Sequence, residues 1–498
     1  MPSHCSRRSR SRLPAAVHLV VAAFVFLAAG YAVAIPPWNN PDEPAHFNYI
    51  RQLADHAELP ILESGAWDAA LLERLKASRF RDASIDSITY EAHQPPLYYA
   101  LEAPLYVISR GLPLSQAVLV LRGLSILLGA LVVYLAAAIM REVKPGRGDL
   151  AVLAASVVAF LPMFTSISAA INNDALANLV GAALVLLGVR GLNRGFRTRD
   201  LGILGGLVGV ALLTKTTVYA LLPVLVLALV WRRRIQDRAP WPLTLRDLAI
   251  VAGIALVVGG WWFIRNAGVY GWLDPLASAR HDQVVVGQLR SDDPSAPPLL
   301  SRLLTVYESF WGIFGWMGVP LPDGMYLAFG ALVGAVAAGA VAWMPLDSVD
   351  RRARLAVPWL LLSVVVVGVA LAGYNRQFVQ SQARYLFPSL IAMGAVAALW
   401  LGSLLTAGRG PAALRAFGAG FGLLALGVVA IEAASVVFTG LPRRLAYLAL
   451  VALIVLFEAA VAGRNLSWGG PARLALAVLS LAWADIALLF GVAAPAFR

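Results

Sequence analysis

The 498-residue sequence contains one cysteine, Cys5, and Asp, Glu, Lys and Arg together make up only 14% of it. A lone cysteine excludes an intramolecular disulfide and a thiolate metal site. The six histidines show no H-E-x-x-H or similar ligand spacing. No Walker motif and no G-x-G-x-x-G strand-to-helix unit is present, and no basic loop is long enough to hold a nucleotide-binding domain. Internal repeats, low-complexity tracts and soluble linkers are also missing, which weakens the case for a transporter built from duplicated halves. Lysine is scarce: Lys76, Lys144 and Lys215 are the only three among 40 basic residues.

Hydrophobic residues are abundant, at 59%. Apolar runs near bilayer length recur from end to end, so the chain reads as an all-α polytopic membrane protein. The net charge of +12 then reports topology before it reports a nucleic-acid partner, because Arg and Lys mark loops kept inside. Residues 1–12 form a basic N-terminus, and an apolar stretch from Leu13 to Ile35 follows. Ala32-Val33-Ala34 resembles a signal cleavage site, but the apolar stretch exceeds a usual signal core and is expected to be a first membrane helix.

Further spans are expected near residues 114–140, 149–166, 174–193, 200–214, 217–232, 245–264, 325–345, 355–374, 385–406, 414–437, 445–463 and 473–494, about thirteen in all. This count places the basic loops "REVKPGRGD", "RGLNRGFRTRD", "WRRRIQDR", "DRRAR" and "GRGPAALR" on the inner side, while "LPRR" at 441–444 falls outside against the rule. Residues 200–232 would span about 50 Å as one helix, too long for a core of about 30 Å. With basic residues at both feet, the segment is expected to turn back as a hairpin, with "LTKTT" at a recessed outer tip. Two outer segments are long, 36–113 and 265–323, and the first includes a juxtamembrane or re-entrant helix at "PPLYYALEAPLYVISRG". Residues 13–410 thus form one transmembrane module with these outer loops, and 411–498 add C-terminal helices.

The polar residues that hydropathy does not explain collect on the outer side. Asp42, Glu43 and His46 follow the first helix in "NPDEPAHF"; Glu91 and His93 lie in "YEAHQPPLYY". Asn173 and Asp174 start the fourth span, and Lys215 tips the hairpin. Arg265 and Asn266 end the seventh span, while Arg376 and Arg384 lie between the ninth and tenth. The positive-inside rule should deplete this face of cations. Four of them beside carboxylates suggest an acidic ligand and an acid–base group.

Each residue also has a plainer reading. Asp42 can cap a helix that carries Pro44 in its first turn and Phe47, Ile50 and Leu53 as its apolar stripe. Asp174 can cap its own span, Arg265 and Arg384 can be interfacial anchors, and Glu91 and His93 can be solvated loop. For Lys215, recessed at a short tip, the plainer role is a structural salt bridge.

An enzyme on the outer face of a bacterial inner membrane has no nucleotide-sugar pool and would draw on an activated lipid carrier. The carrier phosphate wants Lys and Arg at headgroup depth, and an acceptor hydroxyl wants a carboxylate base. At these residues the sequence resembles the GT-C class of integral-membrane glycosyltransferases, which includes protein O-mannosyltransferases, oligosaccharyltransferases and the lipid A aminoarabinose transferase. The class carries an acidic residue or pair just after helix one, matched by Asp42-Glu43, and often a second acidic motif, matched by "NND" ending at Asp174. "LTKTT" resembles the segment whose lysine meets the lipid phosphate, which maps to Lys215. The series "HQPPLYY", "NND", "LTK", "WWFIRN", "SFWGIFGW" and "QARYLFP" is similar to that of a bacterial polytopic membrane family of unknown function. The resemblance covers residues 15–405, and the large C-terminal domain of oligosaccharyltransferases is missing from the sequence, which favours a glycan or lipid acceptor over a peptide.

The resemblance implies an inverting transferase that uses a polyprenyl-phosphate sugar. Asp42 would be the general base, Glu43 or Asp174 would orient the acceptor, and Lys215, Arg265 and Arg384 would hold the donor phosphate. His46, Glu91, His93, Asn173, Asn266 and Arg376 would line the site. A divalent metal is possible and is left open, with Asp42 and Glu43 as candidate ligands. The expected partners are the lipid-linked sugar, its acceptor and membrane lipids, with no nucleic acid. The alternatives are a transporter or flippase of a lipid-linked or anionic substrate, and a non-catalytic assembly subunit. A transporter favours charges at mid-membrane depth, and only Glu432, Glu458 and Asp485 lie so deep.

Overall fold

The computed structural model describes residues 13–81, 84–343, 350–406 and 470–497. The described part is helical except for one two-residue hairpin, β1 (Ile313–Phe314) with β2 (Val319–Pro320). Seven of its helices are long and apolar enough to cross a membrane. The spans expected near 414–437 and 445–463 lie outside the described residues, as do Glu432 and Glu458.

Helix α1 (Ala15–Ala34) packs against α5 (Leu114–Val143) and α6 (Gly148–Ala159). Phe24 of α1 stacks on Phe164 of α7 (Pro162–Ile167). The single span expected over 149–166 is two helices. Pro162 has no N–H and drives Leu161 to an extended backbone, so the α6 hydrogen-bond ladder stops there. Thr165 Oγ1 donates to the carbonyls of Ala159 and Leu161, at 3.0 and 3.1 Å, and so satisfies groups that a bilayer core could not. Tyr31 donates to Oδ1 of Asp485, which is buried on the helix Gly470–Leu488, and Thr165 Oγ1 lies 3.0 Å from Asp485 Oδ2.

Helix α8 (Asp174–Arg194) runs through the core beside α5. The hairpin expected over 200–232 consists of α9 (Thr198–Leu212), a tight turn Thr216–Leu221, and α10 (Leu222–Trp231). Local hydrogen bonds explain the break. Thr214 Oγ1 takes the Val210 carbonyl at 2.7 Å, and the Leu213 carbonyl accepts from the Leu97 N–H at 3.0 Å instead of continuing the helix. Helix α9 packs on α8 and α11 (Trp241–Tyr270). A Cβ at Gly259 would lie 2.6 Å from the Gly209 carbonyl, so α9 and α11 approach as only glycine permits. Arg265 and Asn266 lie inside the last turns of α11 rather than beyond its end.

The two long segments expected on the outer side are folded. The first holds α2 (Glu43–His56), α3 (Ala69–Ala77), a 3₁₀ turn Tyr90–His93 and α4 (Leu97–Ser109). Helix α4 packs on α2 and α5, as a juxtamembrane helix would. The second holds α12 (Ser278–Val284), α13 (Leu299–Trp311) and the hairpin. Helices α14 (Asp323–Trp343), α15 (Arg351–Tyr374) and α16 (Leu390–Thr406) complete the bundle. A 3₁₀ turn, Ala383–Ser389, precedes α16 and rests on α8 and α15.

Candidate active site

Asp42 occupies the N-cap position of α2, but its side chain caps nothing. Its φ of 65° is left-handed, a conformation that Asp tolerates better than most residues. This turn points the carboxylate away from the helix. Oδ2 accepts from Arg384 Nη2 at 2.5 Å and Oδ1 accepts from the Tyr90 hydroxyl at 2.7 Å. The expectation that Asp42 caps its helix is therefore overturned. Asp174 does not cap α8 either: its own N–H donates to Asn172 Oδ1, and its carboxylate faces two cations.

Four charged groups from four segments form an alternating row. Arg384 bridges Asp42 and Asp174, the second contact at 3.2 Å, and Lys215 Nζ lies 2.5 Å from Asp174 Oδ1. Asn173 Oδ1 accepts from Lys215 at 2.7 Å, and the Tyr385 ring lies below both cations, 5.1 Å from the Arg384 guanidinium and 6.0 Å from the Lys215 ammonium. Lys215 thus has the salt bridge of its plainer reading and also faces a cavity. That cavity encloses about 550 Å³, and Asp42, Glu91, His93, Lys215 and Arg384 all line it. Apolar and aromatic side chains line it as well, among them Tyr219, Trp262, Val367, Ala370 and Leu371.

The other nominated residues fall into two groups. Asn173, Asp174 and His46 stand behind the lining and hold it: Asn173 and Asp174 bind Lys215, and His46 Nδ1 meets the Tyr99 hydroxyl at 2.9 Å. Glu43, Arg265, Asn266 and Arg376 lie elsewhere. Glu43 is fully buried and turned away from the cavity, bonded to Arg122 through both oxygens and to the backbone N–H groups of Trp38 and Ile171. Arg265 donates to the carbonyls of Leu59 and Pro60 and to Asn266, which itself donates to the Pro275 carbonyl. Arg376 is exposed. The structure does not bring Glu43, Arg265, Asn266 or Arg376 into the lining of the cavity.

The sequence reading missed Tyr90, Tyr385, His281 and Arg122. The first three line the cavity but differ from no other aromatic or loop residue by pattern. Arg122 did carry a signal: a cation inside an apolar run requires a partner.

Ionisation separates the carboxylates at the cavity. Burial pushes Asp42 up, but the Arg384 guanidinium and the hydrogen bonds from Arg384 and Tyr90 hold it down at about 2. Burial and the neighbouring Asp42 charge push Glu91 up to about 7, against the opposing pull of Lys215 and Arg384. Burial lowers His46 and His93 to about 3 each, so both rings are neutral at neutral pH.

Asp42, His46 and Glu91 each offer one metal-binding atom, all within 4.8 Å of one another. As arranged they do not fit a resident divalent ion. Asp42 already accepts from a guanidinium at Oδ2 and a phenol at Oδ1, and among the three groups only His46 Nε2 and Glu91 Oε2 have no partner. A catalytic shell ordinarily needs three protein ligands, and a dication would sit against Arg384. Glu43, the other expected ligand, is wholly taken by Arg122 and the backbone.

Comparison with known proteins bears on the fold. Residues 95–261 match the sequence profile of dolichyl-phosphate-mannose-protein mannosyltransferase. No curated protein matches the chain. The crystal structure of ArnT from Cupriavidus metallidurans bound to undecaprenyl phosphate superposes with a TM-score of 0.58 at 16% identity, covering 95% of this chain and 76% of that one. The chain carries the GT-C fold. The apo structure of the same ArnT gives 0.58 and 16%, with 96% and 77% covered. The oligosaccharyltransferase of Archaeoglobus fulgidus, in its apo form, gives 0.43 and 15%, with 94% of this chain and 56% of that one covered. Within the GT-C fold, this chain places its post-helix-one Asp42 and its hairpin Lys215 at one cavity.

Proposed function

We propose that this protein is a glycosyltransferase that moves a sugar from a polyprenyl-phosphate donor to a glycan or lipid acceptor, with inversion. The observation that carries the reading is the row Asp42–Arg384–Asp174–Lys215 beside a cavity that is also lined by apolar and aromatic side chains. A lipid carrier has matching parts: an anionic phosphate joined to an apolar chain. The fold it shares with an ArnT crystallised with undecaprenyl phosphate supports the same donor class.

In this reading Lys215 and Arg384 bind the donor phosphate. Both are held by carboxylates in the free protein, so an arriving phosphate exchanges one anionic partner for another and avoids a bare buried cation. Tyr385 and Gln382 keep the Arg384 plane in place; Gln382 Oε1 accepts from Arg384 Nε at 2.8 Å. The acceptor hydroxyl attacks the anomeric carbon opposite the phosphate, the carbon–oxygen bond to phosphate breaks, and polyprenyl phosphate leaves. A carboxylate at the cavity takes the acceptor proton. Glu43, Arg265, Asn266 and Arg376 have no part in this scheme. The site faces the outer side of a bacterial inner membrane, with the N-terminus in the cytoplasm.

The test is turnover. Full-length protein in lipid nanodiscs is supplied with synthetic polyprenyl-phosphate hexose, pentose and aminosugar, with a membrane lipid and glycan extract as acceptor. Release of polyprenyl phosphate from one donor, lost in Arg384→Gln, supports the reading. Movement of intact donor between leaflets of proteoliposomes without cleavage overturns it in favour of a flippase.

A further inference from the structure

We infer that Glu91, rather than Asp42, is the general base that removes the acceptor proton. The inference rests on the glycosyl-transfer reading and names the group that acts in it.

A base needs a free lone pair where the hydroxyl arrives. Asp42 is the more constrained, since Arg384 and Tyr90 each hold one of its oxygens. Asp174 is held in the same way by Lys215 and Arg384. Asp282, also at the cavity, accepts from Gln377 at 3.0 Å and faces His281. Glu91 lines the cavity, and its Oε2 is buried with no hydrogen-bond partner. An unpaired buried carboxylate oxygen is costly in a fold and calls for a donor that arrives later.

The surroundings suit that donor. Asn173 Nδ2 donates to the Tyr99 hydroxyl at 3.3 Å, and Tyr99 in turn meets His46 Nδ1. If Tyr99 donates to Nδ1, the ring proton lies on Nε2, which has no partner. A ring nitrogen of His46 and oxygens of Asp42 and Glu91 lie within 4.8 Å of one another. An acceptor hydroxyl that enters the cavity beside Glu91 donates to it. As the oxygen bonds to the anomeric carbon, its proton passes to Glu91 and the electron pair of the breaking bond leaves on the phosphate.

The charged groups facing Glu91 come from several elements: Asp42 at the start of α2, Lys215 beyond α9 and Arg384 before α16. The phenols of Tyr99, Tyr374 and Tyr385 face it as well. Their balance with burial holds Glu91 at about 7, near the pH at which a base works best, whereas Asp42 at about 2 is a weak proton acceptor. Activity limited by Glu91 is present above that value and lost as pH falls through it.

The experiment uses the same nanodisc assay between pH 5 and 9, together with infrared titration of the carboxyl groups. Expected are an acidic limb near pH 7 in kcat/KM and a carboxyl band that titrates there. In Glu91→Gln, turnover falls by about 10²–10⁴ and both signals vanish. In Asp42→Asn, loss of the neighbouring negative charge moves the limb to lower pH without removing it. Because the native profile needs no variant, misfolding of Glu91→Gln leaves the test intact. The inference is overturned if Glu91→Gln keeps the limb and turnover within tenfold, if Asp42→Asn alone removes the limb, or if chelation abolishes turnover and a divalent ion restores it. A native protein that releases polyprenyl phosphate but shows no limb overturns only the base assignment. One that cleaves no donor overturns the glycosyl-transfer reading as well.

Discussion

Glu43 and Arg122 form a two-pronged ion pair in the interior, with Nε–Oε1 at 2.8 Å and Nη2–Oε2 at 2.7 Å. The remaining Arg122 bonds reach the carbonyls of Ala32, Ile35 and Pro36, so this pair clamps the end of α1 to α5 and to the start of α2. Asp42 and Glu43 are adjacent in sequence yet face opposite ways, one toward the cavity and one toward this clamp. Breaking the clamp leaves a buried charge unpaired. Glu43→Gln and Arg122→Met are each expected to lower stability by roughly 3–5 kcal/mol. Thermal unfolding in detergent measures this; a loss below about 1 kcal/mol for both would show that the pair does not hold these segments together.

Lys215→Met is expected to behave differently. Arg384 still neutralises Asp174, so the fold loses less than it does in Glu43→Gln. Stabilisation by added polyprenyl phosphate should drop, since ligand stabilisation follows affinity by mass action. The measurement is melting temperature with and without the lipid phosphate. Equal stabilisation of variant and native chain would remove Lys215 from the donor site.

Glu91 also makes a stability prediction that does not depend on turnover. Its folded value, about 7, lies above the usual glutamate value of 4.5, so the folded protein binds a proton that the unfolded chain has released. Stability should therefore fall as pH rises from about 4.5 to about 7 and level off above, by on the order of 2 kcal/mol. Glu91→Gln should lack this fall and be the more stable protein at pH 8. Chemical or thermal unfolding across that window decides, and a variant with the native pH dependence would refute the assignment of the group.

Asp42→Asn should leave α2 intact, because the native side chain caps nothing. Helix content by circular dichroism should be unchanged while Arg384 loses its 2.5 Å partner and the affinity for polyprenyl phosphate changes. A measurable loss of helix would return Asp42 to a capping role.

Topology is tested by labelling. Ser64 is exposed in the first outer segment, between α2 and α3. In a Cys5→Ser background, Ser64→Cys should react with an impermeant maleimide in cells whose inner membrane is intact. Reaction only after permeabilisation would place the cavity on the cytoplasmic side and overturn the lipid-carrier reading.

The sequence alone determined that the chain is helical and spans the membrane many times, and it located the hairpin at Lys215, but it did not show the break at Pro162 or the full length of α11. The features that did show are local: runs of about twenty apolar residues, basic flanks, and a segment too long for one span and too basic at its feet for anything but a turn at Lys215. It also marked out Asp42, Glu91, His93, Lys215 and Arg384, because charge at an apolar boundary is costly without a reason. What it did not determine was which charges meet. Arg384 is 342 residues from Asp42 and 210 from Asp174, and no local pattern encodes such a contact. Only the tertiary structure turned Asp42 toward Arg384 and Glu43 toward Arg122, drew Arg265 to the carbonyls of Leu59 and Pro60, and left Glu91 with an unpaired oxygen. The physical reason is that hydropathy sets how deep a residue lies, while side-chain direction is set by the backbone turn beneath it and by the partners that helix packing brings within reach.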